Sequence, residues 1–473
     1  MFRLTAISLR NCLDYIENLL PGNVELHGLY NAYTEEIMAR RASGEAIDTP
    51  FTSIFPKGMH ADSGGLQMIT LGKGSIEKED RLKIYETQAN YSHYAMSFDE
   101  IPAIFEGDSR YYLPHTVEEK GIESGFNLKE QYDHFDTLNT NAKIIPIAQG
   151  WGLDDTNLFA KGLFAQLSDE QKEKLDIIAS GFPVSDSYAT PRRLYDIFKA
   201  DEIPFNAKKH VHFLGVTGFK RLIPALIMVK NGFAPQLEVL SFDSVTLSMS
   251  YVMGGNIPSV DDFKKKKPKI KLGKTRNADV ESYWEEIYNF WKDDPEFPFT
   301  DLNDLLEHSY YNSQKLTSGF QQYEYYLQAN SEGKFTKENK AIADMHFAKV
   351  LKQEQYYILY QVHNYVMLLE SFLEDKIKLS DIFVGKDLEL YSALENITTD
   401  DSFENWWDHV KKVTGFKVAT LDANHMNVDD IMKNSIFDAD QIPVEEKDRK
   451  KQAPRIAKEK PKLDDTSTMD SLF

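Results

Sequence analysis

Short apolar runs that each close on a glycine, acid, amide or hydroxyl residue constrain this chain more than any other feature. They are Tyr94-Ala95-Met96-Ser97-Phe98-Asp99-Glu100, Lys143-Ile144-Ile145-Pro146-Ile147-Ala148-Gln149-Gly150, Asp176-Ile177-Ile178-Ala179-Ser180-Gly181, His212-Phe213-Leu214-Gly215-Val216-Thr217-Gly218 and Val239-Leu240-Ser241-Phe242-Asp243-Ser244. Helical patterns separate them at residues 76–92, 169–175, 191–199 and 219–231. Strands alternating with helices predict a parallel sheet with helical crossovers. Polar residues at the strand ends lie where a (β/α)8 barrel builds its active site. A doubly wound sheet predicts the same alternation but favours a glycine-rich phosphate loop after its first strand, and none is present. The expected class is therefore α/β, a (β/α)8 TIM-type barrel. Further upstream, residues 2–9 read as a strand and residues 31–42 as a helix.

A strand-like approach through Ile54 and Phe55 leads to Ala61-Asp62-Ser63-Gly64-Gly65-Leu66-Gln67. Glycine lets the backbone turn sharply and approach a ligand closely, because no Cβ intervenes. The same composition also makes an ordinary polar turn. Asp62 and Asp243, both at strand ends, form a pair suited to glycosidic-bond chemistry. One carboxylate attacks or stabilises the anomeric carbon while the other handles the leaving group's proton.

Composition bounds the partners. The single cysteine, Cys12, excludes an internal disulfide framework and a multi-cysteine zinc site. No apolar run reaches membrane-spanning length, and Met1-Phe2-Arg3-Leu4 lacks a signal-peptide layout, so a soluble, cytoplasmic protein is expected. The net charge of −20 repels nucleic acid on average. Against it stands a basic run, Lys264, Lys265, Lys266, Lys267, Lys269, Lys271, Lys274 and Arg276, which is either a solvated loop or a contact for a nucleic-acid backbone.

Past residue 276 the composition shifts. Tyr283-Trp284, Tyr288 and Phe290-Trp291, then Val350, Tyr357, Ile358, Val362, Tyr365 and Leu369, recur at helical spacing. The expected organisation is a barrel over residues 1–276, an α-helical appendage packed by its aromatics over 277–443, and a disordered, charge-alternating tail over 444–473. Leu472-Phe473 is either a frayed terminus or a short motif for a sliding-clamp-type partner.

Asp62-Ser63-Gly64-Gly65-Leu66-Gln67 resembles the Asp-Ser-Gly-Gly-Phe-Gln signature of the tRNA-guanine transglycosylase family, a (β/α)8 barrel. Ser97-Phe98-Asp99-Glu100 is similar to its Phe-Asp-Glu-Cys, Ala148-Gln149-Gly150 to its Val-Gln-Gly, and Ala179-Ser180-Gly181-Phe182 to its Gly-Gly-Leu. His212-Phe213-Leu214-Gly215-Val216-Thr217 resembles Tyr-Leu-Met-Gly-Val-Gly, and Phe242-Asp243-Ser244-Val245 resembles Phe-Asp-Cys-Val. The six motifs keep the family's order and cover roughly residues 50–250.

The resemblance implies that Asp243 is the nucleophile taking C1′ as guanine leaves, and Asp62 the general acid/base. Asp99 would read the guanine edge by accepting from N1–H and the exocyclic amine. Gln149 and the N–H of Gly181 would donate to the ring carbonyl oxygen. Ser63, Gln67 and Ser180 would be further base contacts. Departures from the family pattern select a branch. The zinc cysteines are missing, as are the arginines that follow the nucleophile, here Val245-Thr246-Leu247-Ser248-Met249-Ser250. Leu66 replaces an aromatic that lies against the base, leaving stacking to Tyr94 or Phe182. No archaeal-type RNA-binding module is recognisable at the C-terminus.

These features resemble the zinc-less DNA-modifying branch, which exchanges guanine in DNA for a 7-deazaguanine. The expected function is thus a pentosyltransferase acting on DNA without metal or cofactor. Its target guanine must leave the base stack to react. Besides the lysine run, Lys220 and Arg221 follow a strand where barrels often bind phosphate. Two alternatives remain: the same chemistry on tRNA, and a non-catalytic barrel that binds nucleic acid or a partner.

Overall fold

Pro146 interrupts the central strand of the molecule, and the sheet continues in chain order on either side of it. A computed structural model describes residues 25, 27–32, 58–65, 76–106, 109–181, 187–216, 218–243, 256–266, 278–307, 329, 333–334 and 336–421. The strands are β1 (Gly28–Asn31), β2 (Met59–Asp62), β3 (Tyr94–Met96), β4 (Ala103–Glu106), β5 (Ser109–Tyr112), β6 (Lys143–Ile145), β7 (Ile147–Ala148), β8 (Ile178–Ser180), β9 (His210–Phe213) and β10 (Val239–Phe242). One sheet runs β1-β2-β3-β6 and the other β7-β8-β9-β10, and every pairing within them is parallel. Proline has no N–H to donate, which breaks the ladder between β6 and β7. Its carbonyl still accepts from Ala179 N at 2.8 Å.

Among the described residues the strand order never reverses, so the switch point of a doubly wound sheet is missing. No pairing joins β1 to β10 among them either. The observed architecture is a parallel α/β sheet wound in one direction, and a closed eight-stranded barrel is not seen.

Alternation along each strand sorts side chains onto two faces. Met59, Ala61, Ala95, Ile144, Ala148, Ile178, Val211 and Phe213 join the large core shared with the helices. Met96, Ile145, Ile147, Ile177 and Ala179 form a second core with Leu29, Tyr94 and Leu214. Burial of both faces explains why these strands read as continuous apolar runs. On the inner face His60 of β2 stacks on His212 of β9 at 5.3 Å between ring centroids, and on Tyr94 at 4.6 Å. His27 Nδ1 and His60 Nε2 lie 3.0 Å apart, and Ser241 Oγ bonds both His210 Nε2 (2.6 Å) and His212 Nδ1 (2.8 Å). Because β2 and β9 are not neighbours in a ladder, this contact requires the sheet to curl until its inner face meets itself.

The crossovers are α1 (Lys78–Tyr91), α2 (Val117–Leu138), α3 (Leu153–Phe164), α4 (Asp169–Lys174), α5 (Ala189–Lys199) and α6 (Phe219–Lys230). Backbones of α2 and α3 touch through glycines, since a Cβ at Gly125 would stand 2.4 Å from the Gly162 carbonyl oxygen. Beyond the sheet follow α7 (Val260–Lys264), α8 (Ala278–Trp291), α9 (Leu302–Glu307), α10 (Lys337–Leu373), α11 (Leu379–Ile382), α12 (Gly385–Leu394) and α13 (Asp400–Thr414). Trp284, Trp291, Tyr283, Tyr356 and Tyr357 are fully buried among them, so these aromatics are core. Gly415, at φ 70°, closes α13 in the left-handed conformation. The chain then returns to the β4–β5 hairpin, where Tyr112 N donates to Ala419 O (2.8 Å) and Leu421 N to Tyr112 O (3.1 Å).

Asn31, expected to open a helix, is instead the last residue of β1. The rest of that expected helix, the expected strand at residues 2–9 and the approach through Ile54 and Phe55 lie outside the described residues. The chain divides into two units, residues 1–425 and 426–473, and the second, with Leu472 and Phe473, also lies outside them. Among the described residues no helix is long and apolar enough to cross a membrane.

Candidate active site at the carboxyl ends of the strands

Three aspartates stand at the carboxyl ends of their strands: Asp62 as the last residue of β2, Asp99 just past β3 and Asp243 directly after β10. Asp62 continues the inward set that contains His60, and Asp243 the one that contains Ser241. Asp62 Oδ1 accepts from Gly64 N and Oδ2 from Asn31 Nδ2, each at 3.3 Å. Gly64 holds φ at 86°, which suits a residue without Cβ at this turn. Asp99 is buried, and its Oδ2 accepts from Gln149 Nε2 at 2.6 Å. Asp243 Oδ1 accepts from Gly215 N. Arg221 Nη1 braces that loop by donating to Gly215 O at 3.1 Å.

The glycines make room for these groups. A Cβ on Gly65 would lie 3.1 Å from Asp99 Oδ1, and one on Gly181 would lie 2.4 Å from both Nε2 and Oε1 of Gln149. Ser63 is fully buried, and its hydroxyl has no hydrogen-bond partner among the described residues. A buried hydroxyl left unpaired costs free energy, which a polar ligand would recover.

Burial shifts all three acids the same way. Burial raises Asp62 above the ordinary carboxylate range, while N–H donors from Gly64 and Ser63 pull it back. Asp99 is pushed up to about 7 by burial, opposed by Gln149, with the charges of Asp62 and Glu100 adding to the rise. Burial also pushes Asp243 up to about 6, opposed by the Gly215 N–H and reinforced by Asp62. Asp62 thus adds to the rise of both of the others. Asp62 and Asp243 keep part of their surface open to solvent although protein surrounds them. Among the described residues, no group of three histidine, cysteine or acidic side chains is arranged to hold a metal ion.

Two expected contacts take other parts. The Gly181 N–H donates to Ala148 O at 3.2 Å as the next rung of the β7–β8 ladder, so it is not available to a base carbonyl. What Gly181 supplies is space for the Gln149 amide. Ser180 faces the helices rather than the inner face, and its hydroxyl accepts from Arg193 Nε at 3.1 Å. Tyr94, expected as a stacking surface, lies at the amino end of β3 against His60. Gln67, Leu66, Phe182, Lys267, Lys269, Lys271 and Lys274 lie outside the described residues. Lys264, Lys265 and Lys266 are exposed at the end of α7, whose Phe263 packs edge-on against Phe219, the first residue of α6. Lys220 Nζ sits 5.8 Å over the Phe383 ring.

Sequence reasoning missed the fully buried Arg193 behind the Gln149 loop and Arg110 on β5, whose charge feels Asp99. Arg192-Arg193 with Asp196 reads from sequence as a solvated helix face, and only the packing of α5 against β7 and β8 turns Arg193 inward. No family model matches the chain, and no curated protein matches it.

Proposed function

We propose that this protein is a guanine-exchanging transglycosylase of the tRNA-guanine transglycosylase type, acting on DNA through a covalent aspartyl intermediate. The observation that carries the reading is the convergence of Asp62, Asp99 and Asp243 with Gln149 at the strand ends, all three acids raised by burial and coupled through Asp62. A complete (β/α)8 barrel is part of the proposal, supported by the unreversed strand order and by the stacking of His60 on His212 across the inner face.

In the first displacement the Asp243 carboxylate attacks C1′ of the flipped nucleotide. The C1′–N9 bond breaks, its electron pair goes to N9, and the proton that neutralises the leaving guanine comes from Asp62. The raised pKa of Asp62 lets it hold that proton beside two other acids. In the second displacement Asp62 takes a proton from the incoming 7-deazaguanine, whose nitrogen attacks C1′ and expels Asp243. Asp99 accepts from N1–H and the exocyclic amine, a pair of donors that adenine does not present. The Gln149 amide already donates to Asp99 Oδ2, so that carboxylate is held ready to accept.

The test incubates the protein with duplex DNA or with tRNA plus a 7-deazaguanine, followed by digestion to nucleosides and mass analysis. Modified deoxynucleoside is the expected product; modified ribonucleoside alone would move the substrate to tRNA, and no change in either would refute the reading. Asp243→Asn abolishes exchange and the trapped covalent adduct if Asp243 is the nucleophile. An active variant would remove that assignment.

A further inference from the structure

A guanidinium with no exposed surface lies directly behind the loop that carries Gln149. Arg193 Nη1 donates to Gly150 O (2.7 Å) and Thr156 Oγ1 (2.9 Å), Nη2 to Ala148 O (3.4 Å) and Nε to Ser180 Oγ (3.1 Å). Ala148 and Gly150 flank Gln149, and Ser180 precedes Gly181, on which the Gln149 amide rests. One fork therefore fixes the backbone on both sides of Gln149 and the strand beneath its side chain.

The rest of the loop is held too. Gly152 N donates to Asp196 Oδ2 (3.1 Å), and Trp151 N donates to Tyr112 Oη (3.0 Å). Arg192 links Asp196 to Glu404 of α13, and the Trp151 ring meets Trp407 of the same helix. Gly150 and Gly152 hold φ at 102° and 84°, backbone states that need outside support to stay fixed. Burying a charged guanidinium is costly unless it is paired and its donors are matched; here Asp196 lies 3.8 Å from Nη1, and the donors go to Ala148 and Gly150 on either side of Gln149 and to Thr156 and Ser180.

We propose that Arg193 is the positioning residue that sets Gln149 against the six-membered ring of the bound base, so that selectivity at the ring carbonyl depends on a side chain that never touches the base. The inference rests on the guanine-exchange reading. Lysine at 193 keeps the charge but loses the planar fork, and methionine loses both.

The experiment compares Arg193→Lys and Arg193→Met with the wild type, and with Lys208→Met as a control. Lys208 is buried against the other end of the same helix, donating to Phe198 O (3.0 Å) and Ala200 O (2.7 Å). The first readout is hydrogen exchange of the amides at 150–152, expected to accelerate about tenfold or more in the Arg193 variants and to stay unchanged in the control. The second is selectivity in base exchange for guanine over 2-aminopurine, which lacks the ring carbonyl. It is expected to fall about tenfold, with KM for the incoming base rising while kcat changes about threefold or less.

Unchanged loop protection in both Arg193 variants overturns the proposal. So does a freed loop with wild-type selectivity, or an equal loss of selectivity in the Lys208 control. Wild-type protein that exchanges no base refutes the function and with it this role in base reading, while loop protection still reports whether Arg193 holds the loop. If the methionine variant does not fold, the lysine variant carries both readouts.

Discussion

Removing two site carboxylates should make acid more destabilising to this protein, because their uptake of protons in the fold offsets the loss at a set of buried histidines. Burial holds His212 down to about 3 and His210 to about 4, with neighbouring histidines adding to each, and drives His60 well below its ordinary range. Lys143 also lowers His210, and Asp176 opposes the shift. A histidine kept neutral in the fold adds stability above its unfolded pKa of about 6.5, and that stability is lost as pH falls toward the folded value. A carboxyl whose folded pKa is raised behaves in reverse, because the fold takes up the proton before the unfolded chain does, so stability is gained as pH falls.

Between pH 7 and 5 His212 costs about 2 kcal/mol and the partly open His210 about 1 kcal/mol, and His60 adds to the loss in the same direction. Over the same interval Asp99 returns about 2 kcal/mol and the partly open Asp243 about 1 kcal/mol. The Asp99→Asn/Asp243→Asn double variant should lose about 3 kcal/mol more than the wild type over this interval, and His212→Asn about 2 kcal/mol less. Urea unfolding followed by circular dichroism at pH 7, 6 and 5 measures the differences. A double variant that loses no more than the wild type refutes the opposition of the two layers, and a His212→Asn variant with the wild-type slope refutes the histidine half.

Other expectations concern the site directly. Exchange should rise with pH through a coupled ionisation between about 6 and 7, since Asp243 must be ionised to attack and Asp99 to accept; a rate flat from pH 5 to 8 would contradict this. Gly181→Ala drives a methyl into the Gln149 amide. It should cost about 1–3 kcal/mol in thermal unfolding and at least tenfold in exchange, whereas wild-type kinetics would show that Gln149 does not need its observed place. Reversing the charge of Lys264, Lys265 and Lys266 should weaken DNA binding equally across sequences and lower the salt slope by about 0.9 for each phosphate no longer neutralised. An unchanged slope in a filter-binding titration would leave those lysines as solvated surface.

Strand positions were legible because period and punctuation coincide: β3, β6, β7, β8 and β10 fall within the apolar runs that end in Asp99, Gln149, Gly181 and Asp243. His210, the first residue of β9, was missed because a histidine breaks the apolar run, although its ring bonds Ser241 inside the curl. The helix α2 escaped notice because Gly121 and Gly125 look like helix breakers until Gly162 is seen pressed against them. The hairpin β4–β5 has a turn signal in Gly107-Asp108, which went unread because the flanking runs are short; its support comes from residues 419–421. Roles were harder to read than places. Ser180 sits at the expected strand end, but which face it takes follows from alternation counted from Ile178, and there it meets Arg193.

The return of the chain to Tyr112 has a consequence for how the protein is made. Ala419 and Leu421 complete a hairpin that also carries Arg110 and, through the Tyr112 hydroxyl, holds Trp151 in the loop of Gln149. Tyr112 thus leaves the ribosome roughly 300 residues before its partners, a delay of about 15–60 s at ordinary synthesis rates. During that interval the aspartate-bearing strands exist without their rim. A nascent chain stalled before residue 419 should therefore fold its sheet while leaving the Trp151 side of the Gln149 loop without its Tyr112 support.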